Sequence, residues 1–223
     1  MAAARTIGAL FLAGFLTYGI GFALVTSAIG ADGGLTARTT LVVGALLMLL
    51  NVLIDVGKGV LFFGVLERHG RRTALLYLTM MAAEAVLLGL GVLFLLLLVP
   101  LHDRGADPVF GLLATDANNL LYQIGEFLLG FTGVFLCALL ARARLVPRVL
   151  AWWGAAGYVV FAIGTVAELF GAHVGLALSI PGGLFEVALG IWLIVRGFAR
   201  VPSQGAAGPV PLVDERLVGH ESR

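Results

Sequence analysis

The sequence predicts an all-α polytopic membrane protein, a bundle of six transmembrane helices with both termini in the cytoplasm. Composition is the first reason. Of the 223 residues, 60% are hydrophobic and 12% are charged, about half the roughly 25% that a water-facing surface needs in a soluble domain. The second is the mean hydropathy of +1.04. The third is that apolar residues form long runs rather than the short alternating segments of a β-barrel.

Six apolar runs are long enough to cross a hydrocarbon layer about 30 Å thick, because a helix rises about 1.5 Å per residue. They cover residues 6–30, 40–66, 73–99, 119–141, 150–170 and 180–197. The first run exceeds the apolar core of a signal peptide, so we predict a retained helix. The longest connection is expected at 100–118, where prolines and aspartates cluster.

Arginines distinguish the two sides of the predicted membrane domain. The connections 67–72 and 142–149, together with the two termini, hold eleven arginines, whereas the other side holds only Arg38 and Arg104. Loops rich in Lys and Arg stay in the cytoplasm. We therefore expect a multi-pass protein of the bacterial inner membrane. The connections expected to face outward are 31–39, 100–118 and 171–179.

One domain accounts for nearly the whole chain. We predict a six-helix transmembrane domain at 1–200 and a disordered cytoplasmic tail at 201–223, where Pro, Gly and charges mix without periodicity. The sequence contains no row of basic residues that could bind the phosphates of a nucleic acid, so no nucleic-acid partner is expected. The expected partners are the lipid bilayer and a lipophilic small molecule, and the oligomeric state stays open.

Six ionisable side chains fall within the predicted spans: Asp55, Lys58, Glu84, Glu126, Glu168 and Glu186. A charge facing lipid is energetically costly, so these groups are expected to face the bundle interior and to have partners. Five carboxyl groups against one lysine cannot all be ion-paired. Some of the carboxyl groups are therefore expected to be protonated at neutral pH.

The positions of the polar residues predict a pocket. Asn51, Asp55 and Lys58 are spaced i, i+4 and i+7, which places them on one helix face. Glu126 and Glu186 lie on stripes of small residues, where helices approach closely. Because the inner halves of the last three predicted helices carry few polar groups, the pocket is expected to open outward and to have an apolar cytoplasmic floor.

Four carboxyl groups are the predicted catalytic acids: Asp55, Glu84, Glu126 and Glu186. The residues expected to bind the substrate are Asn51, Lys58, Tyr77, Tyr122, Gln123, Phe161 and Glu168. A cation site that joins His173 to nearby carboxylates stays an alternative, but no Glu-x-x-His motif supports it, and no metal or cofactor is predicted.

Three stretches carry a family resemblance: MMAAEAVLLGLG around Glu84, RLVPRVLAWWGAAG at 144–157 and LFEVALGIWLIVRGF at 184–198. With the fourth predicted helix, the chain resembles over about residues 10–198 a widespread bacterial membrane family that carries only the label domain of unknown function 4386. The resemblance implies six helices, makes Glu84, Glu126 and Glu186 the best candidate site residues, and implies no activity.

Three functions from different classes remain open. The favoured one is an intramembrane enzyme in which a buried carboxylic acid protonates a lipophilic substrate, with cyclisation of a prenyl or terpenoid chain as an example. The predicted protein resembles small membrane terpene cyclases in architecture alone. The second is a proton- or cation-coupled transporter, suggested by a faint similarity between 81–94 and 183–195, as in inverted repeats. The third is a non-catalytic sensor or assembly subunit.

Overall fold

The computed structural model describes residues 2–199, and this part of the chain is helical, without a β-strand. Five helices are long and apolar enough to cross a membrane. They are α1 (Ala2–Ser27), α2 (Arg38–Asp103), α3 (Val109–Arg142), α4 (Arg148–Leu169) and α5 (Gly175–Val195). The predicted tail at 201–223 lies outside the described residues. The fold class is therefore all-α and multi-pass.

Five helices stand where six were predicted, because α2 runs through two of the predicted spans. A straight helix of its 66 residues would measure about 99 Å, over three times the hydrocarbon thickness. Gly70, with φ 179° and ψ 77°, interrupts the helix, and the chain folds back there. The rings of Phe62 and Tyr77, on either side of Gly70, pack edge to face with centroids 5.4 Å apart. We call the two segments α2a (38–69) and α2b (71–103).

The helices form a closed ring. Among residues 2–199, each helix packs against its neighbours in the sequence, and α5 packs against α1. Glycines allow the closest contacts. A side chain at Gly8 in α1 would collide with the backbone carbonyl oxygen of Gly190 in α5, and one at Gly21 would lie 2.7 Å from the carbonyl oxygen of Gly44 in α2a. Small residues thus seal the ring at these seams.

Most arginines of the described residues collect at one end of the bundle. The backbone N–H of Ala199 donates to the carbonyl oxygen of Leu145 at 2.9 Å, and Gly70 lies against the side chain of Leu139. The fold-back at Gly70, the α3–α4 connection and the end of α5 therefore meet at one end, which we call the arginine-rich end. At the opposite end, Arg38 and Asp103 form an ion pair of 3.0 Å between the two extremes of α2.

The connection expected at 100–118 is much shorter in the structure. Helix α2 continues to Asp103 and α3 begins at Val109, so only 104–108 link them. The carboxylate of Asp107 accepts a hydrogen bond of 2.9 Å from the backbone N–H of Val109, which satisfies a donor at the start of α3. The 34 residues of α3 reach about 51 Å, so the polar residues that suggested a loop lie on a helix that is longer than the hydrocarbon layer is thick.

Candidate functional site

A cavity of about 220 Å³ lies inside the ring, and all five helices contribute to its wall. This volume is slightly below the roughly 300–1,000 Å³ of typical small-molecule pockets. Helix α1 supplies Phe11, Gly14, Phe15 and Tyr18, which recur every three or four residues and therefore occupy one helix face. The wall is thus aromatic on this side.

Helix α2a contributes a buried ion pair. The ammonium nitrogen of Lys58 lies 2.7 Å from Oδ1 of Asp55, and the amide of Asn51 donates to Oδ2 of Asp55 at 2.8 Å. The three residues are at most 7% exposed. Both oxygens of Asp55 are therefore satisfied, and its negative charge is compensated within the same helix. The ammonium also lies 4.9 Å from the centroid of the Phe11 ring, a cation–π contact.

Helix α2b contributes Glu84, whose environment is different. The residue lines the cavity and is 2% exposed. Within the described part of the chain, its buried Oε2 has no hydrogen-bond partner. Gly125 in α3 leaves room for it, since a side chain there would come within 3.4 Å of Cγ of Glu84. A buried polar atom without a partner is costly, so this oxygen is a candidate contact for a proton or a ligand.

Two further carboxyl groups complete the wall, Glu126 on α3 and Glu186 on α5, each 9% exposed. The hydroxyl of Tyr158 on α4 donates to Oε1 of Glu186 at 2.7 Å. The Tyr158 ring occupies space that a side chain at Gly133 would fill, and it packs edge to face on Phe185 at 5.6 Å. Packing from two helices therefore holds the hydroxyl that orients Glu186.

The charges of the cavity wall do not balance. It contains four carboxyl groups but one cationic side chain, Lys58, which pairs with Asp55. Glu84, Glu126 and Glu186 face a shared space in which no second cation of the wall is available to them. Crowded carboxyl groups in a medium of low polarity cannot all ionise. The arrangement can therefore hold protons or receive a cationic group.

On α1 and α5, the cavity wall includes residues that are exposed or half-buried, which indicates an opening between these two helices. Four wall residues mark this α1–α5 opening: Phe15, Gly19, Ser179 and Gly183. Phe15 is 43% exposed, and a side chain at Gly19 would meet no atom within 4 Å. The same seam is tight at Gly8 and Gly190, nearer the arginine-rich end. The helices thus diverge along their length.

Apolar packing closes the cavity toward the arginine-rich end. The buried cluster there contains Phe62, Tyr77, Leu136, Phe185 and Leu189, and extends to the α3–α4 connection through Leu145 and Val146. All of these side chains are less than 5% exposed. The cavity therefore ends blindly on that side.

The structure brings most of the predicted site residues to the cavity wall: Asn51, Asp55, Lys58, Glu84, Tyr122, Glu126, Phe161 and Glu186. It places three elsewhere. Tyr77 lies in the apolar cluster, where its hydroxyl has no partner among residues 2–199. Gln123 follows Tyr122 by one residue, which turns it about 100° away from the wall. Glu168 lies about two helical turns beyond Phe161, where its Oε2 accepts the backbone N–H of Gly175 at 2.8 Å.

The alternative cation site around His173 does not assemble. The side chain of His173 is 89% exposed, and its Nδ1 lies 3.8 Å from Oε1 of Glu168. Over residues 2–199, no group of three His, Cys, Asp or Glu side chains is close enough to hold a metal ion. The carboxyl groups of the cavity wall remain separate from this loop.

The contribution of α1 was not predicted from the sequence, because the cavity-facing part of α1 has no charged residue. A usable signal was present. Phe11, Phe15 and Tyr18 are spaced i, i+4 and i+7, which is the period of one helix face. Tyr158 was considered as an aromatic residue of the pocket wall, but its hydrogen bond to Glu186 was not predicted, since only the packing of α4 on α5 reveals it.

Comparison with known families identifies the family of this chain. The family described as Domain of unknown function (DUF4386) matches residues 6–197, and the chain belongs to it. No curated protein and no solved structure matches the chain. The architectural similarity to small membrane terpene cyclases therefore stays a hypothesis.

Proposed function

We propose that the chain, as a member of the Domain of unknown function (DUF4386) family, is an intramembrane enzyme in which a buried carboxylic acid protonates a lipophilic substrate. The observation that carries the proposal is Glu84, which lines the cavity while its buried Oε2 lacks a partner in the described part of the chain. A carboxylic acid kept neutral by apolar surroundings is a strong general acid. Asp55 is less suited to that role, because both of its carboxyl oxygens already have partners, Lys58 and Asn51.

The proposed reaction is proton-initiated cyclisation of a prenyl chain. The O–H bond of the Glu84 carboxyl group breaks, and its proton forms a C–H bond with an alkene carbon of the substrate. The aromatic faces of Tyr122 and Phe161 stabilise the resulting carbocation. A second alkene closes the ring, and loss of a proton to a wall carboxylate ends the sequence. The product is an isomer of the substrate, so no cofactor is needed.

The α1–α5 opening supports a lipophilic substrate. Its outer rim carries Leu16, Ile20 and Ile180, each more than half exposed, so in a bilayer it would face hydrocarbon. The apolar closure at the arginine-rich end offers no second exit, which favours an enzyme over a transporter. A chain could enter sideways from the lipid and leave by the same route.

We propose six membrane crossings, one each for α1, α2a, α2b, α3, α4 and α5, with both termini in the cytoplasm of a bacterial inner membrane. The arginines at one end support this orientation under the positive-inside rule. A green fluorescent protein joined after residue 199 should fluoresce, and an alkaline phosphatase inserted within 104–108 should be active, since it works only outside the cytoplasm. The reverse pattern would overturn the topology.

Deuterium incorporation tests the reaction. The protein in vesicles of bacterial lipid, in heavy water, is given farnesol, geranylgeraniol or squalene, and the products are analysed by mass spectrometry. We expect an isomer that carries one deuterium on carbon, formed about 10²–10⁴-fold more slowly by Glu84→Gln. Glu168→Gln is the matched control, because this acid lies outside the cavity wall. Full activity of Glu84→Gln would contradict the assignment, and accumulation driven by a proton gradient would instead support the transporter.

A further inference from the structure

We infer that the cavity takes a ligand with a single positively charged nitrogen, an ammonium head group attached to an apolar chain. This inference rests on the proposed function only in taking the cavity as the ligand site. The ammonium compound is a ligand other than the uncharged prenyl substrate, and its binding does not require the proton-transfer step. Three independent features of the wall carry it, namely the uncompensated carboxyl groups, the aromatic faces and the lateral opening.

The first feature is the charge of the wall. Asp55 and Lys58 compensate each other, so any of the three glutamates that ionises needs a positive partner from outside the wall. Glu84 presents a buried oxygen without a hydrogen-bond partner in the described chain. Glu126 lies on the neighbouring helix beside Gly125, where a side chain would come within 3.4 Å of Cγ of Glu84. An N–H donor or a fixed positive charge of a ligand would satisfy these groups.

The second feature is an internal precedent for holding an ammonium group. The nitrogen of Lys58 is 2.7 Å from a carboxylate oxygen of Asp55 and 4.9 Å from the Phe11 ring centroid. The other side of the cavity also combines a carboxyl group with aromatic rings, but it has no cationic side chain. There, Tyr18 and Tyr122 stack with centroids 5.1 Å apart near Glu126. Carboxylates and aromatic faces together are the groups that recognise ammonium ligands.

The third feature is the opening toward lipid. An ammonium head group in the cavity would leave its apolar chain in the α1–α5 opening beside Phe15 and Gly19, where the chain stays in hydrocarbon. The absence of a three-residue metal cluster in residues 2–199, together with the aromatic wall, favours an organic cation over a metal ion. The ligand class is therefore a lipophilic amine or quaternary ammonium compound.

Binding of such a cation should release a proton. Before binding, protons neutralise the glutamate carboxyl groups. When the ammonium group binds, its positive charge replaces one of these protons. The titratable groups that face the cavity are Tyr18 from α1, Asp55 and Lys58 from α2a, Glu84 from α2b, Tyr122 and Glu126 from α3, Tyr158 from α4 and Glu186 from α5. Because one proton leaves per ligand, affinity should increase with pH, by up to about tenfold per pH unit.

Isothermal titration calorimetry of the full chain in lipid nanodiscs tests the inference. The probe is decyltrimethylammonium, whose charge does not change with pH, and the control is the neutral compound in which a tert-butyl group replaces the trimethylammonium group. Empty nanodiscs correct for partition into lipid. We expect the cation to bind at least about tenfold more tightly than its neutral isostere. Titrations in buffers of different ionisation heat should show release of about one proton.

Variants locate the binding groups. Glu84→Gln, Glu126→Gln and Glu186→Gln should each weaken the cation with little effect on the neutral compound, whereas Glu168→Gln should change neither. Equal affinity of wild-type protein for both compounds, or no binding of the cation, would overturn the inference without relying on any variant. If the cation fails to bind while the deuterated isomer still depends on Glu84, the proposed enzyme stands alone. If the cation binds with proton release and no isomer forms, the ligand class is supported and the proposed reaction is contradicted.

Discussion

The Nζ atom of Lys58 lies 2.7 Å from Oδ1 of Asp55, three residues earlier on the same helix, and the two side chains are only 7% and 5% exposed. An amide from Asn51 satisfies the other oxygen of Asp55. Because both members of the pair come from one segment, the pair needs no charged partner from another helix. Asp55 therefore differs from the three glutamates of the cavity wall, which have no cationic side chain as a partner.

The first prediction concerns this ion pair. Lys58→Met should destabilise the protein by about 3–5 kcal/mol, because it leaves the buried carboxylate of Asp55 without its counter-ion. The double variant Asp55→Leu with Lys58→Met should recover most of that stability, since neither charge then remains. Chemical unfolding in detergent micelles measures both. If the single variant is as stable as wild type, Lys58 is not held in the interior as the structure has it.

The second prediction concerns the contact between α4 and α5. Tyr158→Phe removes the hydroxyl that donates to Glu186 at 2.7 Å and should cost about 1–3 kcal/mol of unfolding free energy, because a buried acceptor loses its partner. Combining it with Glu186→Leu should cost much less than the sum of the two single changes. Strict additivity would indicate that the two side chains do not interact.

The third prediction concerns the sealed part of the α1–α5 seam. Gly8→Ala should destabilise the bundle by about 1–3 kcal/mol, because its methyl group meets the backbone carbonyl of Gly190, which cannot move aside alone. Gly64→Ala is the matched control in a helix, since a side chain there meets no atom within 4 Å. The control should be neutral or slightly stabilising. Thermal unfolding of the two variants side by side gives the comparison, and equal melting temperatures would contradict the close contact.

The fourth prediction concerns the α1–α5 opening. Gly19→Trp should slow association of decyltrimethylammonium by at least about tenfold, because an indole ring placed at the rim narrows the route from lipid. Stability should be unchanged, since the position has free space around it. Gly64→Trp, on an exposed part of α2a away from the cavity, should leave the rate as in wild type. Association measured by stopped flow decides the matter, and an unaffected rate in Gly19→Trp would show that the ligand uses another path.

Much of the architecture follows from local sequence properties. Hydropathy and run length predict apolar helices, because each run must bury its backbone polar groups in its own hydrogen bonds. The family assignment and the helical class are confirmed. At 67–72 the sequence predicted a connection between two helices, whereas the structure has one helix interrupted at Gly70. At 100–118 it predicted a loop, whereas α3 already begins at Val109. Both concern segments beyond the ends of the apolar runs, where run length no longer marks the helix boundary.

Charge and helical period in the sequence alone determined which residues are candidates: rare acids in apolar helices must face inward, and i, i+4 and i+7 spacing places Asn51, Asp55 and Lys58 on one face. Only the tertiary structure decided how those candidates divide. It gives Glu186 the hydroxyl of Tyr158, leaves an oxygen of Glu84 without a partner in the described chain, and turns Gln123 and Tyr77 away from the cavity. The physical reason is that each of these outcomes depends on the rotation of a helix about its axis and on close contacts at glycines of other helices. Spacing within one helix does not contain that information.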